Sequence, residues 1–158
     1  MQDSQVSRRV CVCVLALFVV VASSLAGASV AAREPGAPVV CAHISCSAGL
    51  ALDSRGNLYT ADSQSGHVFC VPPASSPILL AKVPGTPVVL TVDRLRTVFV
   101  GTADGAVYLV ELDGTVREAC RISAQPVGLV VDRDGGLLIA TDDGAIVKVS
   151  RASFHEPR

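Results

Sequence analysis

The chain has 158 residues, half of them hydrophobic, with 13 basic and 14 acidic residues and a formal net charge of −1. That length accommodates one domain. The near-neutral charge, the absence of Trp and an aromatic content of 4% exclude the basic field and stacking stripe of a nucleic-acid binder.

The N-terminus reads as a targeting segment. Arg8 and Arg9 precede 23 uncharged residues, Val10 to Ala32, of which the first part is bulky and apolar and the second is built from Ser, Gly and Ala. That order is the basic, hydrophobic and small-residue succession of a secretory signal, with Ala26-Gly27-Ala28 as a cleavage match and Val30-Ala31-Ala32 as a second. An uncleaved signal anchor of about 20 apolar residues is the competing reading. Either way residues 1–32 direct the body into the secretory pathway, and the membrane concerns only this segment. Beyond it lie Cys41, Cys46, Cys70 and Cys120. An even number of cysteines in an oxidising compartment suggests disulfides, with three pairings open and Cys41 near enough to Cys46 to close a small loop. Buried free thiols are the alternative.

From Gly49 the chain says nearly the same thing three times. Gly49–Val71 reads GLALDSRGNLYTADSQSGHVFCV, Val88–Val110 reads VVLTVDRLRTVFVGTADGAVYLV, and Val127–Val149 reads VGLVVDRDGGLLIATDDGAIVKV. Asp53, Asp93 and Asp132 open equivalent turns at spacings of 40 and 39, and Gly66, Gly105 and Gly144 recur every 39 residues. In each unit a short apolar run meets an Asp-led turn, where the carboxylate can bond backbone amides just ahead of it. A second run (Leu58–Ala61, Val98–Gly101, Leu137–Ala140) ends in a polar turn closed by the glycine, which accepts positive φ without steric cost. A third, alternating run follows (His67–Val71, Ala106–Val110, Ala145–Val149), and Ile78–Lys82 and Val116–Ile122 are candidate fourth strands. Outside the signal no window has helical periodicity. The reading is all-β, a partial β-propeller of about three four-stranded antiparallel blades over residues 39–149, with 150–158 as a tail.

The pattern G-L-A/V-x-D-x-x-G-x-L-Y-x-A-D at Gly49 to Asp62, repeated in altered form after Pro126, resembles the NHL repeat and the six-bladed propellers of the gluconolactonase, senescence-marker and strictosidine-synthase-like group. In the middle copy Arg96 replaces the turn glycine. The resemblance implies a propeller fold and, for lactonase-like members, calcium held near a central channel by acidic residues and by an Asn that opens an inner strand directly after a Pro. Here Val88 and Val127 follow Pro87 and Pro126, and Asn57, the one Asn of the chain, sits in a turn. The reading is therefore a secreted or membrane-tethered propeller that binds a protein or small ligand without catalysis. A divergent calcium-dependent lactonase or related hydrolase is the alternative, with calcium as its only cofactor.

Asp62, Asp104 and Asp142 or Asp143 follow the second strands and are the candidate metal ligands, weighed against a role as turn caps. Arg94, Arg96 and Arg133 sit in the turns after the inner strands, where loops gather at one end of a propeller and could favour an acidic partner, but Asp93, Asp132 and Asp134 flank them and largely cancel the field, so a mixed solvated turn surface is the preferred reading. The histidines are His43, His67 and His155, and the sequence has no G-x-S-x-G, no H-E-x-x-H and no N-x-[ST]. Three blades do not close a ring. Either further blades lie elsewhere, or a homodimer closes six, or the chain is an open monomer or another β-fold.

Overall fold

The computed structural model describes residues 42–155. The signal segment, Cys41 and the start of the 39–149 propeller span lie outside the described residues, which include no helix long and apolar enough to cross a membrane.

Eleven strands form three antiparallel sheets. The first contains β1 (Ser47–Leu52), β2 (Leu58–Asp62), β3 (His67–Val71) and β4 (Ile78–Lys82); the second contains β5 (Pro87–Val92), β6 (Val98–Thr102), β7 (Ala106–Val110) and β8 (Val116–Arg121). The third has β9 (Pro126–Val131), β10 (Leu137–Thr141) and β11 (Ile146–Val149), after which Arg151–His155 form a 3₁₀ turn. Strands follow one another in order within each sheet, as in propeller blades, and β5 packs against both β1 and β9.

The sheets stack face to face around two cores. Tyr59, Ala61 and Val68 of the first sheet meet Val98, Val100 and Tyr108 of the second. On its other side the second sheet presents Phe99, Val107 and Leu109 to Leu129, Leu137 and Ile139 of the third. Alternation along β6 and β7 thus fills both cores from one sheet, and every residue of those two strands is buried. Each fully buried Val, Leu or Ile here is worth roughly 1.5–3 kcal/mol relative to exposure.

Among the described residues no cysteine is bridged. Cys46, Cys70 and Cys120 are free thiols, which corrects the expectation of disulfides. The packing gives the reason: Cys70 lies against the core between the first two sheets and Cys120 against the core between the last two, so the middle sheet separates them. Burial pushes the thiol of Cys120 up to about 11 and also raises that of Cys70, keeping both protonated at neutral pH. The tail is also more ordered than its sequence suggests, because Phe154 is buried against Phe99 with ring centroids 5.6 Å apart.

Candidate binding cavity

The Asp-led turns share one construction. Asp53 Oδ1 accepts from the amides of Arg55 and Asn57 (2.8 and 2.9 Å), Asp93 Oδ1 from Leu95 and Thr97 (both 2.8 Å), and Asp132 Oδ1 from Asp134 and Gly136 (2.9 and 2.8 Å). In the first turn Asn57 Nδ2 and the Tyr59 hydroxyl also donate to Asp53 Oδ2. Burial works to raise this carboxyl, but the donors outweigh it and hold it below the usual range. In the third turn Asp132 Oδ2 lies 2.9 Å from the Lys148 ammonium, which likewise lowers the carboxyl.

Arg94 and Arg133, in the turns after β5 and β9, line one cavity of about 240 Å³ together with Asp93, Asp132, Asp134 and Arg151 among others. Arg151 comes from the 3₁₀ turn that Phe154 anchors, and its guanidinium lies over Gly135, where a Cβ would come within 2.8 Å of Nη1. Among the described residues none of these three guanidinium groups is in an ion pair. Asp93 and Asp132 accept turn amides, and Asp132 also pairs with Lys148, while Asp134 adds a third carboxylate to the lining. Counting Lys148, four cationic groups face three carboxylates, and the three guanidinium groups keep donors free in a concave site, the chemistry that recognises a carboxylate or similar anion.

Two of the three arginines singled out from the sequence meet here, and the third does not. Arg96 lines a neighbouring cavity of about 450 Å³ with Arg117, which is ion-paired to Glu111. Arg151 takes its place, from a tail in which sequence patterning gave no sign of a packed turn. Phe154, the one large apolar residue of the tail, was the only available signal.

The acidic candidates are spent on turns. Asp62 accepts from the amide of Gln64 (2.8 Å) and the hydroxyl of Ser65 (2.9 Å); Asp104 accepts from the Thr102 hydroxyl (2.6 Å) and pairs with Arg121 (3.0 Å); Asp142 accepts from the Gln125 amide (3.1 Å). These donors hold Asp62 and Asp104 below the ordinary carboxylate range. Among the described residues no group of three or more His, Cys, Asp or Glu is placed to hold a metal ion. His67 stacks edge-on against Phe69, and exposed His43 lines a groove on the first sheet.

No protein-family model and no curated protein matches this chain. Solved structures do. A catalytically inactive virginiamycin B lyase from Staphylococcus aureus, solved with quinupristin, aligns with a TM-score of 0.52 at 15% identity over 70% of this chain and 42% of that one. The PQQ-bound aldose sugar dehydrogenase of Streptomyces coelicolor gives 0.59 at 12% identity over 74% and 48%. The calcium-binding protein regucalcin from Agrobacterium tumefaciens gives 0.53 at 17% identity over 67% and 46%. At such identities the likeness is one of fold, a β-propeller-like fold shared by lyases, dehydrogenases and calcium-binding proteins. The chain spans less than half the length of each.

Proposed function

We propose that this protein is a propeller-type binding module of the secretory pathway, related to the NHL-repeat and gluconolactonase-like propellers, which holds a carboxylate-bearing ligand rather than transforming it. The observation that carries the reading is the convergence of Arg94, Arg133 and Arg151, none of them in an ion pair among the described residues, on one cavity where two of the three lining carboxylates, Asp93 and Asp132, already accept other donors. Guanidinium groups bind carboxylates bidentately, and a concave site excludes part of the competing water. The succession Arg8-Arg9, Val10–Ala22 and Ser23–Ala32 supports entry into the secretory pathway, cleaved or anchored. Valine after Pro87 and Pro126 speaks against the calcium-dependent hydrolase of the resembled family.

Calorimetric titration with a short oligoglutamate peptide tests this. Saturable binding is expected, weakening with salt and falling about tenfold, or ~1.4 kcal/mol, for each of Arg94→Gln, Arg133→Gln and Arg151→Gln. Absence of binding, or equal binding by the triple variant, would refute the reading.

A further inference from the structure

The repeat makes the two sheet faces left outermost among the described residues readable residue by residue. Tyr59 and Val68 of the first sheet pack on the second, and their equivalents Phe99 and Val107 pack on the third. The next equivalents, Leu138 and Ile146, belong to the outer face of the third sheet with Val130, and Ile146 is 76% exposed. The reverse series behaves alike. Val100 and Tyr108 face the first sheet, Ile139 and Val147 face the second, and the first sheet's own equivalents, Thr60 and Phe69, lie on its outer face. There Leu50, which is 66% exposed, lines a groove of about 640 Å³ with Leu58, the buried Thr60 and residues 42–45. The two bare faces are thus the two halves of an interface that the molecule already makes twice.

The backbone carries the same series. The Val83 amide donates to Gly66 O and the Ile122 amide to Gly105 O, both at 2.9 Å. Three residues later the carbonyls of Thr86 and Gln125 accept from Ala103 and Asp142, as the carbonyl of Cys46 does from Ser63. Counting back three from Cys46 makes His43 the equivalent of Val83 and Ile122. The glycine left to receive it is Gly144, which has no such bond among the described residues and open space where a Cβ would stand.

We propose that a second copy of the chain completes the third sheet. Residues 42–46 of that copy run along the free edge of β11 with the His43 amide donating to Gly144 O, and the outer face of its first sheet covers Val130, Leu138 and Ile146. Two copies about a twofold axis make this contact twice and close six sheets into a ring, the arrangement in which an asymmetric contact ends rather than polymerises. The Lys148–Asp132 pair on this face is already neutral, so covering it leaves no lone charge. The inference is independent of what the arginine cavity binds.

The test is a cross-link in this register. His67 pairs with Lys82 and Ala106 with Arg121, so the corresponding pair is Ala145 of one copy and Ala42 of the other. Ala42→Cys with Ala145→Cys, in a Cys41→Ser, Cys46→Ser background, is treated with a short bifunctional maleimide and run on a denaturing gel beside light scattering of the untreated protein. A linked dimer and a dimer mass are expected. Ile146→Asp and Leu50→Asp, at positions 76% and 66% exposed, should fold by circular dichroism yet raise the dissociation constant at least tenfold. A monodisperse monomer, an intrachain link or a ladder of higher multiples would overturn the proposal.

Discussion

The middle sheet and the third sheet are built from almost the same sequence pattern, yet one is a core and the other a boundary. Val107 and Ile146 occupy the same repeat position, and the first is fully buried while the second is largely exposed. β7 and β11 pair with the preceding strand in the same antiparallel way, but β7 is also flanked by β8 whereas β11 is a sheet edge. The difference is what stands beyond each face. A repeat unit buries its apolar residues only through its neighbours, so equal residues acquire unequal energetic weight from their place in the stack.

That contrast can be broken most sharply at the turn glycines. Gly105 and Gly144 both have φ near +85°, but a Cβ at Gly105 would come 2.2 Å from Ile122 O, whereas nothing lies within 4 Å at Gly144. Gly105→Ala is expected to cost about 3–5 kcal/mol, the sum of left-handed strain and backbone displacement, and Gly144→Ala only about 1–2 kcal/mol. Urea unfolding of both variants reads the gap, and equal losses would mean that the loop after β8 does not seat on the glycine.

The second contrast lies within one sheet. Ile139 is fully buried between the second and third sheets, so Ile139→Ala should lose about 2–5 kcal/mol of unfolding free energy. Ile146→Ala, measured at concentrations dilute enough for single chains, should change it by less than about 0.5 kcal/mol. At higher concentration the gap should narrow if Ile146 becomes covered by a second copy.

The smallest effect concerns the turns. Gly56 and Gly135 take positive φ at the position where the second sheet has Arg96, at φ 67°. Arg96→Gly should relieve about 1 kcal/mol of strain, partly offset by the freer unfolded chain, and raise the melting temperature by a few degrees at most. A drop would show that the packing of the Arg96 side chain beside Glu111 and Arg117 matters more than its backbone.

Much of this architecture was legible because it repeats. The strands fall within a residue or two of the apolar runs, and the Asp turns adopt the same hydrogen bonds in each copy, since a carboxylate two and four residues from free amides needs no distant partner. The site was half legible. Arg94 and Arg133 follow the turn aspartates at once, so their turns fix them together, whereas Arg96 departs and Arg151 arrives through the seating of Phe154 on Phe99. The cysteines misled for a related reason: an even count carries no information about which side of a sheet each thiol occupies.

Sequence by itself determined what is local in this protein: strand spans, turn chemistry and the period near 40, all set by interactions between residues a few positions apart. The tertiary structure alone decided which sheet is covered on both faces, which cysteines are kept apart and which arginines share a cavity. Those depend on contacts between residues that pattern places identically and that only the stacking of whole sheets makes different.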